Sequence, residues 1–221
     1  MPVNQRGGVM QTVVFEAYPK VPLDAFLPEL SLEIPELSDD ILAHYVRNAA
    51  IEFAERSLAL QREITICLQS CVPDYILEAP DCMRIVSLHK VKKNGDRAYA
   101  DCAGFCQFDD LHVVWKQPNE LWVKPVPVEP QDITVIVSVA PHHDACELDE
   151  ILLTRYKEAV LAGARAQLYG LQRRPWTSLV SATAQRKEFD RRIAAAGTDR
   201  LLQGRTGRVR MQTVFNGRRT R

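Results

Sequence analysis

The residues best suited to chemistry are six cysteines and five histidines. Cys67/Cys71 and Cys102/Cys106 form two C-x3-C pairs, which raises the question of zinc. Structural zinc sites favour tight C-x2-C knuckles, or paired C-x2-4-C and H-x3-5-H elements. Here a strand end interrupts the first pair, and His112, His142 and His143 do not stand at ligand spacing. No metal and no cofactor is assigned. Without a sign of export, reduced and partly buried thiols are expected. His142-His143-Asp144 offers a base with an orienting carboxylate, but between a strand end and a helix start such residues also serve as a solvated turn or cap. Asp109-Asp110 with His112 reads as a polar turn. Trp115, Trp122 and Trp176 lie in apolar runs or beside a proline, which favours the core over base stacking. RGG at 6–8 and GRTGR at 204–208 lack the lysine and strand–helix setting of a phosphate loop. No catalytic residue is assigned, and an enzyme is not expected.

Charge is more informative. The 28 basic and 28 acidic side chains cancel over the whole chain. Between Thr198 and Arg221, however, Arg200, Arg205, Arg208, Arg210, Arg218, Arg219 and Arg221 face only Asp199, so this tail carries +6 and the preceding 197 residues carry −6. An acidic body with a basic arm calls for an acidic partner, or an acidic patch on a neighbouring copy. Nucleic acid is the alternative, engaged through its phosphates. The tail lacks interleaved aromatics and so shows no sign of base reading. No run approaches the roughly 18 apolar residues of a membrane span, and the N-terminus lacks the apolar core of a signal peptide. No membrane partner is expected, and synthesis in the cytoplasm is.

The elements that must position these residues follow from periodicity. Residues 1–37 are punctuated by Pro2, Pro19, Pro22, Pro28 and Pro35 and read as a surface arm with one short helical turn. From Ser38, a favourable N-cap, a helix over 38–61 places Leu42, Tyr45, Val46, Ala49, Phe53 and Leu60 on one face. Ile51 and Leu58, with Ala54 beside them, form a second, smaller apolar patch. Such residues are either tolerated surface aliphatics or a contact with another copy of the chain. Residues 62–146 alternate short β-rich runs with turns: 64–68, 75–77, 84–91, 111–115, 121–126 and 133–139, with a hairpin signal at Asn94-Gly95. Helix returns over 147–197. One unbroken helix runs from Leu148 to Gly170, with Gly163 placed for close packing. Another runs from about Thr177 to Ala196, with Leu179, Ala182, Phe189, Ile193 and Ala196 as its stripe and Gly197 ending it. The fold expected is α+β: an antiparallel bundle of three main helices, an inserted antiparallel β-domain, and extended N- and C-terminal arms, the latter over 198–221.

In order and spacing, several stretches resemble the head-to-tail connector (adaptor, head completion) proteins of tailed bacteriophages. These are Arg47-Asn48-Ala49-Ala50-Ile51-Glu52-Phe53-Ala54-Glu55-Arg56-Ser57, then Tyr75-Ile76-Leu77-Glu78-Ala79-Pro80 with Gly95. Later come Tyr156, Ala159, Gly163-Ala164 and Leu168, then Pro175-Trp176 and Phe189. The resemblance covers roughly residues 38–195. Ala54 departs from it, where many relatives carry cysteine, as does the long Arg-rich tail. The resemblance implies a virion protein without catalysis at the head–tail interface. It assembles as a ring, commonly of twelve copies. The ring binds the portal protein above and tail tube or nozzle components below, seals the head, and lets DNA pass without sequence-specific binding. On that reading Arg205, Arg208, Arg210, Arg218 and Arg219 pair with portal acids while Val214 and Phe215 fill a groove. Ile51, Ala54 and Leu58 would meet the next copy in the ring.

Overall fold

The computed structural model describes residues 19–79, 82–93, 111–116 and 119–201, with the backbone alone of 11–14, 100–101, 105–108 and 202. Three sheets carry the strands. One has the order β1 (Gln11–Val14), β4 (Asp74–Glu78), β9 (Glu120–Lys124), β8 (Leu111–Lys116), β7 (Phe105–Phe108); its β1–β4 pairing is parallel. A second has the order β3 (Gln61–Leu68), β10 (Gln131–Pro141), β5 (Met83–Lys93), β6 (Ala100–Asp101). The third joins β11 (Glu147–Asp149) to β2 (Lys20–Pro22). The helices are α1 (Leu27–Glu33), α2 (Asp39–Ser57), α3 (Glu150–Thr154), α4 (Lys157–Tyr169) and α5 (Leu179–Leu202).

This arrangement overturns the expected three-helix bundle with an inserted β-domain. The described residues form five helices and three sheets that share one apolar cluster. It runs from Phe26 and Leu30 through Val46, Phe53 and Phe189 to Ile66, Val113 and Val135. The helices do not satisfy one another alone, because α2 also packs on β10. That strand lies between β3 and β5 with a helix over it, so Ile133 to Val135 and Val137 to Pro141 are buried with no alternation. The proline-rich N-terminal segment is not wholly a surface arm either. Leu23, Phe26, Leu27, Leu30 and Ile34 are buried, and Glu150 N–H donates to the Pro19 carbonyl (2.9 Å).

Helix boundaries move for local reasons. Ser38 starts α2 through its carbonyl, which accepts from Ile41 and Leu42 N–H at 3.0 and 3.1 Å, while its hydroxyl makes no capping bond. The helix stops at Ser57 because Leu58 adopts a left-handed conformation (φ 53°). The expected unbroken helix from Leu148 is three pieces. Leu148 and Asp149 extend along β2, α3 follows, and the chain re-starts at Tyr156, whose carbonyl accepts from Ala159 and Val160. Tyr156 then packs on Phe53, with ring centroids 4.9 Å apart. Gly163 sits where α2, α4 and α5 meet. A Cβ there would lie 2.9 Å from Ala49 Cβ and 2.9 Å from Phe189 Cε2. Helix α5 runs straight through Gly197 to Leu202, and its first turn projects outward, with Leu179 69% and Val180 83% exposed. Leu179 therefore leaves the expected stripe, while Phe189, Ile193 and Ala196 keep it. No described helix is long and apolar enough to cross a membrane.

Candidate interaction site at the root of the C-terminal tail

The point from which the basic tail leaves the body is the last turn of α5. Burial of Phe189, Ile193 and Ala196 seats the C-terminal half of the helix. Two polar contacts then tie its end down. Arg155 Nη2 meets Asp199 Oδ2 at 3.2 Å across an exposed surface. Arg200 Nη1 approaches His89 Nδ1 at 3.3 Å.

His89 reaches that position because β5 is bulged. Its pairing with β10 skips twice, so that Lys90 faces Ile136, Leu88 faces Val137, Ser87 faces Ser138 and Ile85 faces Val139. His89 and Val86 are the extra residues of two β-bulges, which re-aim side chains. This is also why Ile85, Leu88 and Val91 are buried at every third position rather than every second. From the bulge His89 Nε2 lies 2.6 Å from Ser138 Oγ, and Ser138 Oγ donates to the Leu58 carbonyl at 2.8 Å. A guanidinium can only donate, so His89 Nδ1 accepts from Arg200 and its proton sits on Nε2, donated to Ser138. The chain of three bonds joins the end of α5, both strands and the left-handed terminus of α2. Burial, then the Arg200 and Lys90 cations, holds the His89 pKa down to about 4. The ring is neutral at neutral pH. Both the proton and an acceptor site of the Ser138 hydroxyl are used within this chain, so the group holds structure rather than attacking a substrate.

A second buried polar contact fixes the start of the C-terminal half. Arg62 projects from the inward face of β3 and meets Asp149 Oδ2 at 2.6 Å, with both side chains almost fully buried. Burial raises the Asp149 pKa, against the Arg62 and Lys20 charges, which lower it. Arg62 also donates to the Gln61 carbonyl at 2.9 Å.

The residues singled out from sequence are distributed otherwise. Arg205, Arg208, Arg210, Val214, Phe215, Arg218 and Arg219 lie outside the described residues. So do Asp109, Asp110 and the Asn94-Gly95 turn. Ile51 and Ala54 do not form a surface patch: Ile51 is buried and Ala54 fully so. Leu58 is half-buried and serves as the helix terminus. His142 and His143 are exposed on the turn before β11, where His142 Nδ1 bonds the Asp144 carboxylate and Arg47 Nε donates to the Ala145 carbonyl (2.8 Å). Cys67, Cys71, Cys82 and Cys146 are exposed free thiols, not the partly buried ones expected. Among the described residues no group of three or more His, Cys, Asp or Glu side chains is set to hold a metal ion. Trp115 and Trp176 pack against the core. Trp122 belongs to the outward-facing set of β9, with Lys116 Nζ 5.0 Å and Lys124 Nζ 5.6 Å from its ring.

Sequence reasoning missed Arg62, Asp149, His89 and Ser138, and it counted Arg200 only toward the charge of the tail, whereas Arg200 belongs to α5. Arg62 had a signal, because alternation with Ile64, Ile66 and Leu68 puts it on the core side. His89 had none, since its direction depends on a bulge. No protein-family model matches the chain, and no curated protein matches it.

Proposed function

We propose that the chain is a structural virion protein: a ring-forming adaptor between the portal and the tail tube or nozzle that lets DNA pass through. This rests on the resemblance to head-to-tail connectors and on one structural observation. The strongly basic tail starts from an anchored root, with Asp199 held by Arg155 and Arg200 held by His89. Beyond Leu202 six arginines stand against no acid. A cationic segment starting from a fixed point suits capture of an acidic protein surface by directional arginine–carboxylate pairs.

Copies of the chain would pack by a surface other than Ile51 and Ala54, since using these would open the core. Truncation after Leu202 is the direct test, because it spares the whole of α5. The truncated protein is expected to keep its fold and lose capture by the portal in a pull-down; undiminished capture overturns the assignment. The nucleic-acid alternative predicts duplex affinity that falls steeply with salt. A response of that kind, lost on the same truncation, would favour it instead.

A further inference from the structure

We propose that His89 is an acid-operated latch on the last turn of α5: neutral, it holds that turn against the sheet, and protonated, it releases it. The device does not depend on what the tail binds. Its first element is geometry. Arg200 can bond His89 only while Nδ1 keeps its lone pair, and His89 Nε2 is already committed to Ser138 at 2.6 Å. A proton can therefore enter only at Nδ1. It removes the acceptor for Arg200 and sets two cations against each other across the 3.3 Å now spanned by a hydrogen bond.

The second element is that, among the described side chains, no acid bonds the ring; β6 sets Asp101 in register with Lys90, not with His89. Arg200 from α5 and Lys90 from β5 both disfavour its cation. β10 supplies the uncharged Ser138, and the end of α2 supplies the Leu58 carbonyl. Glu55 of α2 is engaged by Arg84 of β5, and Asp199 on the same turn of α5 by Arg155. The third element is leverage. His89 stands on a bulge in the central part of the second sheet, so it is fixed, whereas Arg200 lies two residues from the end of α5. When the bond breaks, the helix end is the part that moves.

The sign follows from the two protonation states. The latched ring has a pKa of about 4, and a released one approaches the ordinary 6.5. Between these values the released state binds the extra proton. Latching is complete above about pH 6.5 and weakens as pH falls, its opening constant rising by up to about tenfold per pH unit.

The experiment is amide hydrogen exchange of residues 198–202 in the full-length protein from pH 7 to pH 4, normalised for intrinsic rates. Opening of this turn is expected to rise by up to about tenfold per unit below pH 6.5 and to level off near pH 4. His89→Gln supplies an acceptor for Arg200 and a donor for Ser138 without titrating. It is expected to keep the turn closed throughout. A flat wild-type profile, or a His89→Gln profile matching the wild type, overturns the latch. Asp199→Asn removes the neighbouring ion pair and is expected to preserve the pH response; loss of the response there assigns it to Asp199 and also overturns the latch. Should His89→Gln not fold, Arg200→Gln is read by NMR titration of His89, whose midpoint must move up; an unchanged midpoint overturns the coupling.

Discussion

Two seams hold this molecule together, and they are built differently. Where α2, α4 and α5 meet, the interior is apolar and tight. Gly163 lies against Ala49 and Phe189, and charges stay at the rim, where Glu52 pairs with Arg56 and Arg186, and Asp190 with Arg56. Where the helices meet the second sheet, charged and polar groups are buried, as Arg62 with Asp149, or partly buried, as the chain Arg200–His89–Ser138–Leu58. The first seam gains from area and fit. The second depends on partners, because a buried polar group left unpaired incurs its full desolvation cost with nothing to offset it. That difference explains why the helices are not an independent bundle. Part of what α2 and α5 need at their C-terminal ends is supplied by strands.

The contrast ranks the expected effects of substitution. Asp149→Ala leaves the Arg62 cation buried without its carboxylate and is expected to cost about 3–5 kcal/mol in denaturant unfolding. Replacing both partners with apolar residues of similar volume, Arg62→Met with Asp149→Leu, is expected to recover most of that loss. A double variant as weak as the single one would show that the pair contributes more than mutual neutralisation.

Gly163→Ala probes the apolar seam. The added methyl must displace Phe189 or Ala49, which outweighs the gain in helix propensity and leaves a net loss of about 1–2 kcal/mol. A stabilised variant would mean that the helices separate easily, removing the contrast.

The smallest effect belongs to the rim. Burial opposes the Glu52 charge, but hydrogen bonds from Arg186 and Arg56 outweigh this and lower its pKa below 4.5. Its contribution is fully present above about pH 4.5 and is lost as pH falls through the lowered value. Glu52→Ala is expected to cost less than about 1 kcal/mol, and less still in high salt. A larger loss that salt does not weaken would place this cluster with the buried contacts.

Much of the local structure was legible beforehand. The six β-rich runs at 64–68, 75–77, 84–91, 111–115, 121–126 and 133–139 all fall within or overlap observed strands, because β-branched runs bounded by turn residues signal strands locally. The core face of α2, with Leu42, Val46, Ala49 and Phe53, is likewise buried as its period indicates. The second patch was misread because hydrophobic periodicity shows which residues avoid water and not how many neighbours surround a helix. Ile51 and Ala54 are inside because the helix is covered on more than one side. The candidate site was legible only as net charge.

The strand runs, the long amphipathic helix α2, the small residue at the helix crossing and the segregation of arginine into the last stretch of chain were all readable from residue order alone. Each of these follows from neighbours within a few residues, or from composition alone. Packing in three dimensions set the rest: that the sheets and helices share one interior, that Arg62 finds Asp149, and that His89 finds Ser138 and Arg200. Those pairings join residues far apart in the chain. They depend on a bulge and a left-handed helix end, which the surrounding packing holds in place and no local pattern announces.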